Sequence, residues 1–465
     1  MRTILVSFLI VLLAACDNDQ PVESHDLVII NATVFNSQTG EPVPGQMIVI
    51  DSGYITAIYN SPVEMAADST LDAKGKLVTP GFIDAVGHLD DIFGDRPDTL
   101  NLSVESCVQK FSATYLPYGV TTVRNSGDGT GYYSVADFLR QNQRADVPDF
   151  YFSGGCIAGW YEGSPYINHL LVQDSSEAVY WVNSLYNSGS VNTIKLYCNG
   201  GMNYSIFNAA LRRATQLELT VTAQVQNEIT IDSALTLGLR NFEHASTLCY
   251  QDNLFDFKSD GKFNDTLEKY WNNDERGSRI YTFLETANYA GPDNPEIIAT
   301  IRNMKAHEAS MTTSLHFFAQ WLGKTWFCSS PKASRFDCSW FSENQKQRCL
   351  NGFNILAQYV RMMEEEGVNL AIGTDHRDGG KAVLSEIILL NEIGFPMSRC
   401  LQIATINTAR VIGQEDKYGS IAIGKRADLI IFDTDPLVDA RNILKGKTVV
   451  KDGVIAAFDV VPSHP

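Results

Sequence analysis

Between residues 82 and 375 the chain alternates between short apolar β-like runs and amphipathic helical segments. That alternation limits the fold more than any other feature. The β-like runs are eight: Phe82–His88, Val120–Asn125, Phe150–Gly154, Thr193–Cys198, Leu219–Val225, Arg240–His244, Met311–His316 and Asn369–Asp375. Helical stretches such as Ser134–Ala145, Ser176–Ser188, Ile206–Leu217 and Asn351–Glu366 lie between them. Parallel neighbours need a crossover, usually a helix, so strand–helix alternation calls for a parallel sheet. Eight repeats in about 330 residues predict an α/β chain with a (β/α)8 TIM barrel over 80–414. The competing reading is an open doubly wound sheet, but no Gly-rich phosphate loop follows the first run.

The flanks have another texture. Leu27-Val28-Ile29-Ile30, Met47-Ile48-Val49-Ile50 and Ile55-Thr56-Ala57-Ile58 are β-rich and split by Gly and Pro turns. Ala427-Asp428-Leu429-Ile430-Ile431-Phe432 and Lys447-Thr448-Val449-Val450-Lys451-Asp452-Gly453 read the same way. Neither flank can hold a core alone. The expectation is a small β-sandwich domain assembled from both chain ends, 26–79 with 415–462.

The first sixteen residues read as an export signal. Arg2 precedes an apolar run, Ile4–Leu13, broken only by Ser7. Such a run is too short to span a bilayer and suits a secretory h-region. It ends Leu13-Ala14-Ala15-Cys16, which looks like a bacterial lipobox; an ordinary signal peptide with a chance cysteine is the alternative. On the lipobox reading, Cys16 is lipidated and anchors the protein in the bacterial cell envelope, facing the periplasm, with 17–25 as a polar tether. Eight further cysteines then sit in an oxidising compartment. Cys107, Cys156, Cys198 and Cys249 are expected as buried small residues. Cys328 and Cys338 share one insertion, where a bridge and free thiols are both open. Thirty-six basic against fifty-four acidic residues give a net charge of −18. That balance argues against nucleic acid or an anionic membrane surface as a partner.

In such barrels the reacting groups sit at the C-terminal ends of strands. Those ends carry His88, Lys195, His244, His316 and the pair Asp375-His376. Imidazoles with a carboxylate suit a borderline divalent ion such as zinc.

Here a resemblance becomes specific. Pro80-Gly81-Phe82-Ile83-Asp84-Ala85-Val86-Gly87-His88 and Tyr118-Gly119-Val120-Thr121-Thr122-Val123-Arg124 resemble the first two strand motifs of the amidohydrolase superfamily. Ile194-Lys195-Leu196 followed by Gly200-Gly201 is similar to strand four of members with a carboxylated lysine. Phe242-Glu243-His244 looks like strand six, and Gly373-Thr374-Asp375 like strand eight. Ala404-Thr405-Ile406-Asn407-Thr408-Ala409-Arg410 and Gly424-Lys425-Arg426-Ala427-Asp428-Leu429 resemble the family's return into its β domain. Within the superfamily the chain is most similar to imidazolonepropionase-like and prolidase-like enzymes. The resemblance implies a metal-dependent hydrolase of a C–N or ester-like bond. Its metals share a hydroxide and a carboxylated lysine, and the strand-eight Asp moves protons. Carried over, His88, Lys195, His244 and Asp375 are the metal ligands, and Asp375 is also the acid/base.

The departures are as informative. Strand one reads Val86-Gly87-His88 where the family has His-x-His, and strand five reads Gln224-Val225-Gln226. Each expected site loses one imidazole, and an amide oxygen is a poor zinc donor. Three outcomes follow. One ion sits among the remaining groups with Gln224 assisting, which is preferred over two ions. Alternatively His316, His376, Asp90 or Asp91 rebuild two sites. In the third case the mouth is a pocket without catalysis. Without a second metal, Lys195 is expected to remain an ammonium paired with Asp375. His169 and Tyr197 are candidate substrate contacts, and His376 is expected to point away from Asp375's face. Two insertions, Asp252–Asp293 and Phe317–Arg348, are expected over the mouth. The second carries Trp321, Trp326, Phe327, Trp340 and Phe341, which suits an apolar or aromatic substrate group or a loop packed on itself.

Overall fold

The computed structural model describes residues 24–93, 103–142, 144–160, 169–198, 201–226, 228–251, 254, 260–271, 278–323 and 341–457. The export signal with Cys16, the tether up to residue 23, Gly200, and Cys328 and Cys338 lie outside them, as do Trp326, Phe327 and Trp340.

Five strands open the described chain: β1 (His25–Phe35), β2 (Pro42–Asp51), β3 (Tyr54–Tyr59), β4 (Ala67–Asp72) and β5 (Leu77–Pro80). Ten short parallel strands follow. They are β6 (Phe82–Gly87), β7 (Val120–Asn125), β8 (Asp149–Tyr151), β9 (Cys156–Gly159), β10 (His169–Val172), β11 (Thr193–Tyr197), β12 (Thr220–Gln224), β13 (Asn241–Phe242), β14 (Ser310–Thr312) and β15 (Asn369–Ala371). β16 (Leu429–Phe432), β17 (Lys447–Lys451) and β18 (Val454–Ile455) return to the first group.

Both chain ends therefore build one eight-stranded sheet, ordered β18-β17-β16-β5-β1-β2-β3, with β4 also on β1. β1 forks: its first half pairs β4 and its second half pairs β5, both in parallel. Met47–Ile50 is buried at every position, because apolar clusters cover alternate residues on both faces. One contains Ile48, Ile50, Leu429 and Ile431; the other contains Val28, Met47 and Val49.

The parallel strands form a three-stranded sheet, β6-β7-β8, and a seven-stranded sheet, β10-β9-β11-β12-β13-β14-β15. Backbone bonds join their edges. Ala85 N donates to Ile372 O at 3.0 Å and Asp375 N to Val86 O at 2.8 Å, tying β6 to the segment after β15. Asn192 N donates to Phe152 O at 2.8 Å, tying the exit of β8 to the entry of β11. Helices connect the strands. The longest, Glu343–Glu366, opens with a Ser342–Gln345 capping box and closes at Gly367, whose φ of 81° suits a residue without Cβ.

All eight β-like runs contain a parallel strand, but several are shorter than their apolar pattern. The run expected to end at His316 stops at Thr312. Ser314 turns left-handed and Leu315–Ala319 becomes helical, because the buried Glu386 carboxylate accepts the N–H groups of Leu315 and His316. His316 is therefore on a helix, not a strand end. β9 and β10 were not anticipated. Each is only four residues long.

Candidate metal centre

The exits of three adjacent strands share an unusual backbone. His244 after β13, Ser314 after β14 and Asp375 after β15 have φ of 64°, 49° and 50°. A non-glycine residue there costs on the order of 1–3 kcal/mol, and such strain gathers at functional sites. These turns carry His244 and Asp375 into one cavity of about 200 Å³, which His88, Lys195 and Gln224 also line.

Asp375 stands between two imidazoles. Its Oδ1 is 3.2 Å from His88 Nε2 and its Oδ2 is 3.6 Å from His244 Nε2. The far side of each ring is committed. His88 Nδ1 lies 2.9 Å from the Gly127 carbonyl, which can only accept, so Nδ1 carries the proton. His244 Nδ1 lies 2.9 Å from Ser314 Oγ, whose own hydrogen goes to Gly373 O at 2.7 Å. Ser314 Oγ therefore accepts from Nδ1–H. Orienting bonds of this kind are what metal-ligating histidines make.

The charges agree. Burial depresses the His244 imidazole to about 4, against the pull of Asp375. It thus meets a carboxylate oxygen with a bare lone pair near neutral pH. For His88, burial is outweighed by the hydrogen bond and charge of Asp375, and its pKa rises well above the usual value. For Asp375, burial is likewise outweighed by the His88 hydrogen bond and by the charges of His244, His88 and Lys195, which hold the carboxyl down at about 2. With its raised pKa, His88 keeps a proton between its Nε2 and Asp375, and only His244 turns a bare lone pair to the carboxylate; a divalent ion would take that proton's place and relieve the repulsion at His244. Two donors about 2.0–2.2 Å from a tetrahedral zinc stand about 3.4 Å apart, so the observed spacings fit a divalent ion held by His88, His244 and Asp375.

Lys195 departs from expectation. It lines the cavity, but its ammonium contacts Glu243 rather than Asp375. Glu243 is fully buried, and also accepts from Arg124 at 3.0 Å, Ser126 at 2.6 Å and Thr222 at 2.8 Å. Burial lowers Lys195 to about 8, with Cys156 and Asp375 opposing that fall and the Arg124 charge adding to it. The carboxylated form implied by the resemblance would have to leave this partner.

Gln224 lines the cavity, whereas Val86 is fully buried and a Cβ added at Gly373 would lie 2.5 Å from its methyl. Asp90 and Asp128 approach His88 at 3.8 and 3.9 Å, but on the Nδ1 side already given to Gly127. Asp91, at the same helix start, is exposed. His169 and Tyr197 line the cavity with their rings 5.2 Å apart. His316 and His376 face each other outside its lining. Phe283 from the first insertion and Phe317 and Phe318 from the second complete the wall. Phe341 instead packs on Trp271, 5.2 Å away, tying the two insertions together.

Ser314, Gly127, Arg124 and Glu243 had no role in the sequence reading. Arg124, Lys195 and Glu243 are charges inside apolar β-runs, which signals mutual pairing, though not which pairs.

The profile of the Amidohydrolase family matches residues 357–456, which include Asp375. An adenine deaminase of Listeria innocua is 37% identical over 98 residues, 21% of this chain and 14% of that protein. An imidazolonepropionase of Brevibacillus brevis is 33% identical over 106 residues, 21% of this chain and 25% of that protein. Residues 357–456 are thus similar in sequence to the amidohydrolase superfamily.

The matches to these curated relatives thus span a quarter of their length or less. Solved structures extend the likeness of fold over nearly the whole chain. A Xaa-Pro dipeptidase with bound methionine superposes with a TM-score of 0.66 at 19% identity, covering 92% of this chain and 99% of that one. A putative prolidase from Bifidobacterium longum gives 0.65 at 23%, covering 94% and 95%. Superfamily members typically bind a divalent metal, and candidate ligand groups are present here.

Proposed function

We propose that the protein is a metal-dependent hydrolase acting on an amide, peptide, cyclic-amide or ester-like bond. The parallel strands are taken as a (β/α)8 barrel over 80–414, and the mixed sheet as a second domain formed by 26–79 and 415–462. One observation carries the reading: His88 Nε2 and His244 Nε2 are presented to the two oxygens of Asp375 beside an open cavity. His88, His244 and Asp375 would hold the ion, zinc by the chemistry of the donors, and one ion rather than two. A divalent ion in such a site supplies Lewis acidity, polarising a carbonyl and making water acidic near neutral pH.

The chain supplies the rest. Asp375, ionised at neutral pH, can take a proton from the attacking water and return it to the leaving group. Gly127 O and Ser314 Oγ keep both imidazoles in one tautomer. Phe283, Phe317 and Phe318 exclude water and fit an apolar portion of a small molecule or short peptide. Metal analysis of purified protein, with turnover of a panel of amides and dipeptides, tests this. Protein that neither binds nor is activated by zinc, cobalt or manganese ends the reading.

The loss of two imidazoles, at Val86 and Gln224, favours a second reading: a pocket that binds a small molecule without turnover. Activity abolished by a chelator and restored by zinc rules it out. The Leu13-Ala14-Ala15-Cys16 segment supports a further proposal, an envelope lipoprotein anchored through Cys16. Mass spectrometry of the processed N-terminus checks it: an unmodified or uncleaved Cys16 overturns the anchor.

A further inference from the structure

We propose that His316, His376 and Asp378 form a second divalent-cation site, separate from the cavity and suited to the zinc class of ions. One ligand atom from each lies within 4.8 Å of the others. Donors of a tetrahedral zinc stand about 3.4 Å apart, and His376 Nδ1 and Asp378 Oδ2 at 3.6 Å are already close to that spacing. His316 comes from the helix Leu315–Ala319, and His376 and Asp378 from the turn after β15.

His316 points most directly to a ligand. It is 1% exposed, and neither ring nitrogen has a hydrogen-bond partner among the described residues. Leaving a buried polar group unpaired costs roughly 1–3 kcal/mol, so native interiors seldom do so without reason. The two rings meet edge to face, with centroids 4.7 Å apart.

His376 is oriented from outside. Gln320 gives its amide hydrogen to Phe317 O at 3.1 Å, which leaves Gln320 Oε1 to accept from His376 Nε2–H at 3.0 Å. His376 Nδ1 thus holds the lone pair, 3.6 Å from Asp378 Oδ2. It accepts the Asp378 N–H at 3.2 Å, a contact that an ion would replace. Arg377 is the adverse charge nearby, and Asp378 offsets it. Two imidazoles and one carboxylate, with one ring anchored by an amide, are a zinc-type set with a fourth position open.

The site would act as a clasp. It joins the segment carrying Phe317 and Phe318, both in the cavity wall, to the segment carrying Asp375. Occupancy would steady that wall without entering the cavity.

The proposal does not depend on the hydrolase reading, and its test separates the two. Chelator-stripped full-length protein is titrated with cobalt(II), read by its visible absorption and by metal content after desalting, for wild type, His244→Ala, His316→Ala and Asp378→Asn. The wild type should show two classes of bound cobalt. His244→Ala should lose one and keep the other, together with its rise in melting temperature. His316→Ala should lose the retained class, and Asp378→Asn, an isosteric change at a partly exposed carboxylate, should weaken it at least tenfold if His316→Ala does not fold. If His244→Ala binds no cobalt, or Asp378→Asn binds like wild type, the second site is wrong. A single class that survives His244→Ala and disappears in Asp378→Asn supports the clasp and removes the mouth site instead.

Discussion

Two buried charge clusters in this molecule use similar parts to different ends. Where the mixed sheet meets the parallel strands, Lys451 is fully buried among Asp149 at 2.9 Å, Asp428 at 3.3 Å and Asp452 at 2.6 Å. At the mouth, His88, His244 and Asp375 converge just as closely, but the nearby cation of the chain, Lys195, is held by Glu243. The first cluster carries its own cation, packed in place. The second arranges donors around a point beside a cavity and, on the proposed reading, leaves the cation to come from solution. Converging acids do not by themselves announce a metal site; what matters is whether a side chain already neutralises them.

The sharpest way to break this contrast is Asp375→Asn. It should lower turnover by roughly 10²–10⁴-fold, while the thermal midpoint of chelated protein stays within a few degrees. Equal loss of fold and activity would make Asp375 a structural residue like Lys451. Lys451→Met should show the opposite pattern. It leaves Asp149 and Asp428 without their cation, Asp452 keeping Arg426, and should cost roughly 3–5 kcal/mol in urea unfolding, with cobalt affinity at the mouth unchanged. Removing only an orienting bond is gentler. Ser314→Ala frees the His244 ring and should weaken cobalt binding at the mouth about 10–100-fold, detectable by competition with a chromophoric chelator. The smallest effect is expected at the lost ligand positions. Gln224→His adds a donor to the cavity lining and should tighten cobalt binding severalfold, by the same competition assay. Val86→His, at a site packed against Gly373, should instead cost about 1–3 kcal/mol in urea unfolding and add no metal.

Much of this was legible in the linear chain. Apolar runs separated by helices marked the parallel strands, and His88, His244 and Asp375 could be placed at strand exits because strand direction and side-chain alternation are local properties. Lys195 was legible as a buried cation but not as Glu243's partner. That choice depends on β11 and β13 flanking β12, which brings residues 48 positions apart into contact. His316 was misplaced because its apolar neighbours suit a strand and a buried helix equally. A carboxylate from a distant helix, Glu386, decides between them by capping the turn.

The sequence by itself determined eight of the ten described parallel strands, the residue types near their ends and the absence of imidazole at positions 86 and 224, since each follows from local pattern and identity. Only the tertiary structure decided which nitrogen of each ring faces Asp375, which acid holds Lys195, and that His316 and His376 meet apart from the cavity. Those outcomes rest on left-handed turns at His244, Ser314 and Asp375, and on hydrogen bonds between segments far apart in the chain, to which no local periodicity is sensitive.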